Sequence, residues 1–454
     1  MSRRRRLPLL LVVAVVLVAT GFVTSLRHPT NPSELPSGLK VSLNAESTAL
    51  YCTGISSANG APGRVSFYNT ASASRSLSVS VVSDKGNTWQ GSIELAAHGL
   101  QSLQPSVVDK SAAGDNFGVA VQISGGGVVG EEIAGTDRSE VPCSASGVTR
   151  WYATGFDTSR GSSAYLSVYN PTATSAVFNA SIYATTGYSA PQAFQGIAVP
   201  AHAQTEVDLG KEVVNTSNVG VGVTVLRGSL EIVGVENSAG TVSYDQGLTD
   251  ASKHSWLPNV TTVEAATAQI RVANPNDSPA QVTVDVALSN FKVSPQSVTI
   301  EPLSTGVVAI TPNPAIPAAG YANLTVHSNV PVVSALATGT GKWFALSSPA
   351  TPSNAFLVGD FSGIGFAAAT VTNTSSRATT VDVSTFNAPT SRVVTSGINL
   401  SAGQTTSLFA TIPSFSRSPS ATYLLTSTKP SMVVSLTLPS RPVGLYVVTP
   451  LDGR

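Results

Sequence analysis

Histidines and cysteines are the side chains of this 454-residue chain best suited to nucleophilic, acid–base or metal chemistry. The histidines are scattered, and the sequence contains no H-E-x-x-H, C-x-x-C or G-x-S-x-G motif. His98 and His202 occupy similar short segments, which indicates a structural role. The sequence therefore predicts a protein that is not an enzyme, with no catalytic residue, no metal site and no cofactor. The five histidines are His28, His98, His202, His254 and His327.

Cys52 and Cys143 are the two cysteines of the chain, and they lie near the two ends of one segment of alternating apolar residues. In an exported protein such a pair indicates a disulfide bond. Two unpaired thiols are the alternative. A thiol nucleophile is disfavoured, because no histidine lies near either cysteine in sequence and the outside of a cell is oxidising.

The glycine-rich segment Gly125–Gly130 formally matches G-x-G-x-x-G. Nucleotide binding requires that this motif follow a parallel strand and open a helix. Here Glu131-Glu132-Ile133 continues a strand pattern, and the corresponding positions Arg227-Gly228 and Ser328-Asn329 read as hairpin turns. The segment therefore predicts a hairpin turn and no nucleotide site.

Acidic residues cluster at Asn274–Asp277 and at Glu131–Asp137, but neither segment has the D-x-D-x-D-G spacing of a strong calcium site. We expect solvated loops there. The 25 basic and 25 acidic residues cancel, so the chain lacks the basic excess that nucleic-acid binding needs.

Trp89 and Trp343 are the candidate ligand-contact residues, because each lies beside turn residues and has no counterpart elsewhere in the chain. An exposed aromatic ring can stack on a sugar or another apolar ligand. The alternative for each is a half-buried aromatic side chain on a strand.

The first forty residues predict a membrane anchor. Arg3–Arg6 precede Leu7–Leu26, an uncharged run long enough to cross a bilayer. The run exceeds a normal signal-peptide core and no clean cleavage site follows, so residues 1–26 are expected to be a retained anchor with the arginines in the cytoplasm. Cleavage and secretion are the alternative. Three prolines in residues 27–40 predict an extended stalk.

Landmarks recur at intervals of about one hundred residues in the remainder of the chain. Each interval begins with an aromatic residue and later has an asparagine followed by a turn residue. The spacing predicts four units, over residues 41–147, 148–252, 253–352 and 353–454. The aromatic residues are Tyr51, Trp151, Trp256 and Phe356; the asparagines are Asn69, Asn170, Asn274 and Asn373.

Within each interval the apolar residues alternate with period two, which is the pattern of a half-buried strand. About seven short strands in about a hundred residues is typical of an immunoglobulin-like or fibronectin-type β-sandwich. The predicted fold class is therefore all-β: four tandem sandwich repeats after an N-terminal transmembrane helix. A propeller is the second choice, because its blades repeat at shorter intervals.

The Arg-rich start, the apolar anchor and strand motifs such as Val168-Tyr169-Asn170-Pro171 resemble an actinobacterial family of exported, membrane-anchored tandem β-repeat proteins. That family is known only as a domain of unknown function. The resemblance covers nearly the whole chain and implies an envelope-associated protein. It supplies no catalytic residues.

We expect a single-pass membrane protein whose C-terminal part lies outside the cell, with a non-enzymatic structural, scaffolding or adhesive role in the bacterial cell envelope. A glycan-binding accessory protein in cell-wall polysaccharide assembly is the alternative. An unrecognised hydrolase would require two carboxylates in one cleft. The expected partners are the membrane and cell-wall glycan or envelope proteins, and neither nucleic acid nor a nucleotide is expected.

Overall fold

The structure is a computed structural model of the whole chain, which divides into two compact units, Met1–Lys40 and Val41–Arg454. It describes residues 49–56, 62–108, 116–135, 139–238, 240–261, 267–288, 293–311, 313–316, 321–340, 343–350, 352–358, 368–387, 390–412, 422–429 and 431–437. The predicted anchor and stalk lie outside these residues. Within the described ranges, no helix combines the length and the apolar character needed to traverse a bilayer.

The described chain is all-β with antiparallel sheets, as the period-two alternation predicts. The first strands are β1 Ala49–Ser56, β2 Arg64–Asn69, β3 Arg75–Ser83, β4 Thr88–Leu95, β5 Leu100–Leu103, β6 Asn116–Ile123, β7 Val128–Ile133 and β8 Glu140–Pro142. Next come β9 Arg150–Phe156, β10 Ser162–Tyr169, β11 Ala176–Ala184, β12 Gly187–Ser189, β13 Ile197–Val199, β14 Gln204–Asp208, β15 Val219–Arg227, β16 Glu231–Ser238 and β17 Thr241–Asp245.

The second half of the chain continues in the same way. Its strands are β18 Ser252–Thr261, β19 Thr267–Asn274, β20 Ala280–Leu288, β21 Gln296–Ile300, β22 Ser304–Thr311, β23 Tyr321–Thr340, β24 Trp343–Ser347, β25 Ala355–Val358, β26 Ala368–Asn373, β27 Thr379–Asn387, β28 Thr390–Leu400, β29 Thr405–Ser407, β30 Thr422–Ser427 and β31 Met432–Thr437. Four short helical turns complete the described elements: α1 Pro105–Val108, α2 Leu408–Thr411, and the 3-10 turns Gln192–Phe194 and Leu209–Lys211.

The sheets recur in pairs with one strand order. We call β1–β8 the first sheet pair, β9–β17 the second, β18–β24 the third and β25–β31 the fourth. The first pair consists of sheets β1-β6-β3-β4 and β5-β2-β7-β8, and the second of β9-β15-β11-β12 and β14-β10-β16-β17. The fourth pair repeats the arrangement as β25-β30-β27-β28 and β29-β26-β31. Each pair encloses its own cluster of buried apolar side chains.

The third sheet pair differs because one long strand serves both of its sheets. The first part of β23 pairs with β18 and β20, and its later part pairs with β19 and β24. Pro331 lies where the strand changes partners, a position that suits a residue without a backbone N–H. The two sheets are thereby joined into one of seven strands.

The glycine-rich segment 125–130 is a turn, as predicted, but the prediction of a hairpin was wrong. It connects β6 to β7, and these strands belong to different sheets of the first pair. Gly125, Gly126 and Gly127 all have positive φ, which allows the chain to reverse sharply between the sheets. The segment opens no helix, since Val128 begins β7 directly.

Residues Asp84–Asn87 form the turn of a hairpin between β3 and β4. The hydroxyl oxygen of Ser83 accepts hydrogen bonds from the backbone N–H groups of Lys85 at 3.2 Å and Asn87 at 3.1 Å, and Gly86 has a φ of 85°. In β3 the apolar Leu77, Val79 and Val81 face the core while serines alternate on the outer face. Local turn chemistry and alternation thus set the register of this hairpin.

The four landmark asparagines are buried and make the same hydrogen bonds in all four sheet pairs. Each Nδ2 donates to the backbone carbonyl four residues ahead and to two carbonyls at the end of a strand in the facing sheet. For Asn170 these acceptors are Thr174 at 2.8 Å, Val199 at 3.0 Å and Pro200 at 2.9 Å. The same contacts recur at Asn69, Asn274 and Asn373. The repeated asparagine therefore ties one sheet to the other.

His98 and His202 occupy one recurring backbone position. Their φ values are 53° and 52°, and Leu303 (51°) and Gly403 (67°) hold the left-handed position before the corresponding strands of the third and fourth pairs. The backbone N–H of His202 donates to the carbonyl of Thr172 at 3.2 Å, as His98 does to Ala71 at 3.3 Å. The predicted shared turn is confirmed, and the position is defined by backbone conformation.

Candidate functional site

Cys52 and Cys143 form a disulfide bond, as predicted, with their Cα atoms 4.7 Å apart. Cys52 lies on β1, and Cys143 directly follows β8 in the facing sheet of the same pair. The Glu132 carboxylate lies within 4.8 Å of both sulfur atoms. Disulfide sulfurs offer no thiolate to a metal ion, so this group is structural.

Hydrogen bonds between buried side chains join the first and second sheet pairs, a contact region we call the first junction. The Thr53 hydroxyl on β1 donates to Oε1 of Gln204 at 2.7 Å and lies 3.1 Å from the Ser167 hydroxyl. All three side chains are buried. Val233 and Val235 of the second pair pack here against Ala134 of the first. Polar groups paired inside an apolar contact specify a single orientation of the two pairs.

Two buried glutamates belong to the first junction. Glu132 Oε1 accepts a hydrogen bond from the backbone N–H of Thr53 at 2.5 Å, and Glu231 lies on β16 of the neighbouring pair. Burial raises the pKa of Glu132 well above its usual range, and the nearby Glu231 adds to the shift. Burial raises the pKa of Glu231 to about 8, against a hydrogen bond from Ser144. Burial therefore favours the neutral form of both carboxyl groups.

The second junction, between the second and third sheet pairs, contains a buried charge network. Arg271 on β19 donates from its guanidinium to the backbone carbonyl of Gly155. Glu236 Oε2 accepts from the backbone N–H of Asp157 at 3.0 Å. Burial raises the pKa of Glu236 well above its usual range, although the Arg271 charge opposes the shift. Burial likewise lowers the pKa of Arg271.

Polar contacts continue along the second junction where β17 meets β24. The Leu346 backbone N–H donates to the Ser243 hydroxyl at 2.8 Å, and that hydroxyl lies 3.2 Å from the Leu346 carbonyl. The Ser348 hydroxyl donates to the carboxylate of Asp245, whose pKa is raised by burial. Leu346 also belongs to the apolar core of the second pair. The third pair thus completes the core of the second.

The buried carboxylates do not form a catalytic cleft. Glu132, Glu231, Glu236 and Asp245 are each at most 4 % exposed. None of them lines the cavity described below. The hydrolase hypothesis, which required two carboxylates in one cleft, gains no support from these residues. These carboxyl groups lie at the contacts between sheet pairs, where the two surfaces together exclude water from them.

A cavity of about 350 Å³ lies beside the first junction, and we call it the junction cavity. Its wall combines the outer face of the β3 and β4 hairpin with residues of the second sheet pair. The rings of Tyr51 and Tyr169, one from each pair, lie 6.5 Å apart between centroids and are tilted by 44°. The lining residues are Tyr51, Ser78, Ser80, Val81, Val82, Thr88, Trp89, Gln90, Ala120, Gln122, Tyr169, Pro171 and His202.

The junction cavity offers aromatic surface and neutral hydrogen-bonding groups. Its lining contains no Asp, Glu, Lys or Arg. Burial, followed by the neighbouring Tyr51, raises the pKa of Tyr169 to about 12, so this phenol stays uncharged. Hydroxyl, amide and aromatic groups together suit an uncharged polar ligand such as a sugar. The lining holds no carboxylate, cysteine or lysine, and His202 is its one imidazole.

Trp89, a candidate ligand contact, is among the residues that line the junction cavity. Its side chain is half-buried and packs against the core of the first pair. The ring lies over Gly91, where an added Cβ would approach it to 2.3 Å. Trp343, the other candidate, begins β24 of the third pair, and its side chain lies outside the described residues. The two tryptophans therefore belong to different sheet pairs.

One group of titratable side chains has no signature in the sequence. His254 on β18 and His327 on β23 are directly opposite one another in neighbouring strands, and their Nδ1 atoms lie 2.8 Å apart. His327 Nε2 lies 3.0 Å from Oδ2 of Asp285 on β20. The partners are 73 residues apart in sequence, so no local motif could reveal them.

Comparison with known proteins identifies a family and distant similarity to solved structures. No curated protein matches the chain. Among solved structures, the crystal structure of Thermotoga maritima 1070 is similar at 17 % identity with a TM-score of 0.20, covering 21 % of this chain and 89 % of that one. The family model of DUF5719, a family of unknown function, matches residues 132–411, from β7 to the end of α2. The match spans more than half of the sequence, and the chain therefore belongs to this family of unknown function, DUF5719.

Proposed function

We propose that this protein is a non-enzymatic scaffold of the bacterial cell envelope: four tandem immunoglobulin-like sandwich units carried outside the membrane on an N-terminal anchor. The four sheet pairs are the four proposed units, because each has the same strand order and its own core. Sandwich units joined in series suit display and spacing, since each unit can fold around its own core.

The observation that carries the scaffold proposal is the buried contact between successive units. Domains joined only by linkers are expected to move relative to one another. Here Thr53 and Gln204 pair across the first junction, and Arg271 reaches Gly155 across the second. Asn323 of the third unit donates to the Thr405 hydroxyl of the fourth at 2.6 Å. Fixed units transmit position and force, which is what a structural element requires.

Cell fractionation with external protease tests the scaffold proposal. We expect the intact chain in the membrane fraction, with its C-terminal part digested by protease added to whole cells. Removal of residues 1–40 should release the protein from the membrane. Recovery of the untruncated chain in the cytosol, protected from protease, would overturn both the predicted localisation and the scaffold role.

A second candidate function is binding of a neutral glycan in the junction cavity, which would make the protein an accessory in cell-wall polysaccharide assembly. The observation in its favour is the lining of Tyr51, Tyr169 and Trp89 with serine, threonine and glutamine side chains and no Asp, Glu, Lys or Arg. Aromatic rings cover the apolar faces of sugars, while hydroxyl and amide groups bond their hydroxyls.

Polysaccharide sedimentation with purified cell-wall glycan tests the second function. Tyr169→Ala and Trp89→Ala should each reduce retention, whereas Tyr188→Ala should not. Tyr188 is a matched control, because it is 47 % exposed on β12 and lies outside the cavity. Trp343→Ala tests the remaining candidate contact. Equal retention of the native protein and the two cavity variants would exclude the cavity as a glycan site.

A further inference from the structure

We propose that His254 and His327 form a binding site for a divalent transition-metal ion, Cu²⁺ in preference to Zn²⁺, on the outer face of the third sheet pair, with Asp285 as a positioning residue. This site goes beyond the scaffold role and differs from the expectation of a chain without metal sites. It rests on three side chains from three adjacent strands, β18, β23 and β20.

The first support is the convergence of two imidazole nitrogens. His254 and His327 are cross-strand neighbours, and their rings meet edge to face with centroids 4.9 Å apart. The Nδ1 atoms are 2.8 Å apart. Because an Nδ1 without a proton is a metal ligand, the two facing Nδ1 atoms become a pair of ligands when the one that carries the shared proton releases it.

The second support is the role of Asp285. The Nε2–H of His327 donates to Oδ2 of Asp285 at 3.0 Å. This contact places the His327 proton on Nε2 and leaves the Nδ1 lone pair free for His254 or for an ion. Metal-ligating histidines commonly donate their other N–H to a carboxylate in this way, which fixes the ring and increases its basicity.

Binding of an ion requires one proton to move between the two nitrogens of the His254 ring, and no other side chain has to accept it. With the His327 proton on Nε2, His254 is the donor and His327 the acceptor in the hydrogen bond between the two Nδ1 atoms. When an ion binds, the His254 proton moves to the Nε2 of the same ring, by way of solvent. Both Nδ1 lone pairs then face the ion, and each imidazole stays neutral.

The separation of the two nitrogens indicates which ion fits. Ligand nitrogens about 2.0 Å from an ion are about 2.8 Å apart at a 90° angle and about 3.3 Å apart at the tetrahedral angle. The two nitrogens are 2.8 Å apart in their hydrogen bond, and at that separation they can occupy adjacent positions of a square-planar or tetragonal ion once the hydrogen bond is broken. Tetragonal nitrogen and oxygen coordination is typical of Cu²⁺ and Ni²⁺, and Cu²⁺ has the higher affinity for a given set of ligands.

The position of the group allows an ion to enter. The side chains of His327 and Asp285 are 39 % and 50 % exposed, and His254 is also exposed. Water can therefore fill the remaining coordination positions.

Copper titration of the untagged full chain, with pulsed EPR, tests this site. We expect one Cu²⁺ per chain, with the spectrum of two equatorial imidazoles, and weaker binding of Zn²⁺. His254→Ala and His327→Ala should each weaken Cu²⁺ binding by at least about tenfold and leave one imidazole signal. His98→Asn is the matched control, because His98 lies in the first sheet pair between β4 and β5 and Asn tolerates its positive φ. Copper binding to His254→Ala equal to that of the native chain would overturn the proposal.

A second pair of variants tests Asp285 separately. Asp285→Ala should weaken Cu²⁺ binding by about 10- to 100-fold. Asp285→Asn should restore part of the loss, because its amide oxygen still accepts the hydrogen bond from His327. Circular dichroism of the metal-free variants checks that the sheets are intact. Equal copper affinity in Asp285→Ala and the native chain would overturn the role assigned to this residue.

Discussion

Asn170 and Val199 lie in opposite sheets of the second pair, yet Nδ2 of Asn170 is 3.0 Å from the Val199 carbonyl oxygen. Asn170 is fully buried at the end of β10, and Val199 is the last residue of β13. The same contact occurs at the corresponding asparagine of each sheet pair. One repeated side chain therefore closes the edge of each sandwich by hydrogen bonds that neither sheet can make within itself.

Replacing Asn170 should destabilise the second sheet pair. Asn170→Ala removes the donor from three backbone carbonyl groups, of which that of Val199 is buried, at a cost of about 1–3 kcal/mol. Differential scanning calorimetry of the full chain should show a lower melting transition for this variant. Asn399→Ala, at an exposed position on β28, should change stability by no more than about 0.5 kcal/mol. Equal effects of the two substitutions would refute the proposed tie.

Raising the pH should weaken the first junction. The pKa of Glu231 is about 8 in the folded chain, against an ordinary value of 4.5. Between pH 4.5 and about 8 the Glu231 carboxyl group keeps its proton in the folded chain but has released it in the unfolded chain. The contribution of this group to the free energy of unfolding is therefore complete below pH 4.5 and is lost as the pH rises through about 8. The melting temperature should therefore fall from pH 5 to pH 8.

Glu231→Gln isolates the contribution of this residue, because an amide is uncharged throughout that interval. The melting temperature of the variant should depend less on pH between 5 and 8 than that of the native chain. Glu94→Gln provides the control at an exposed position on β4. The same pH dependence in native protein and Glu231→Gln would show that Glu231 does not carry the effect.

Two glycine substitutions separate backbone strain from junction packing. Gly155 and Gly161 have similar positive φ values, 100° and 92°. A Cβ at Gly155 would lie 2.8 Å from Leu346 Cδ1 across the second junction, whereas a Cβ at Gly161 meets nothing within 4 Å. Both alanine variants should lose about 1–2 kcal/mol to strain. Gly155→Ala should lose about 1–3 kcal/mol more from overpacking, measured by calorimetry. Equal losses of stability in the two variants would mean that the second junction accommodates the added methyl group without cost.

Removing the disulfide should destabilise the first sheet pair selectively. Cys52 and Cys143 are 91 residues apart, and a loop of that length stabilises a fold by about 4–5 kcal/mol in the chain-entropy description. The double variant Cys52→Ala/Cys143→Ala should lower one melting transition and should not respond to reductant. A native melting profile that is unchanged by full reduction would contradict this expectation.

The sequence predicted the repeating parts of the fold well, because these depend on local patterns. Alternating apolar residues in segments such as β3 identify strands, and Gly86 identifies the turn that follows. The recurring Asn69 and Asn170 marked corresponding positions, and the lone cysteine pair indicated its own disulfide. The hairpin expected at residues 125–130 failed because a turn residue does not reveal whether the next strand stays in the same sheet.

The candidate sites depend on partners that the sequence does not bring together. Tyr51 and Tyr169 face one cavity only because the first two sheet pairs pack at one orientation. In the sequence Glu231 resembles an ordinary carboxylate at the end of a strand, but in the structure it is buried.

The amino-acid sequence by itself determined that this chain has the pattern of an all-β fold and that its landmarks recur four times, and it predicted the disulfide between its two cysteines. Only the tertiary structure decided that His254 stands opposite His327, because antiparallel register between strands 73 residues apart depends on the packing of the whole sheet. It also decided which polar side chains are buried at the junctions. Burial at a junction depends on the two surfaces that meet, whereas the alternation of apolar residues within one unit describes only the surface of that unit.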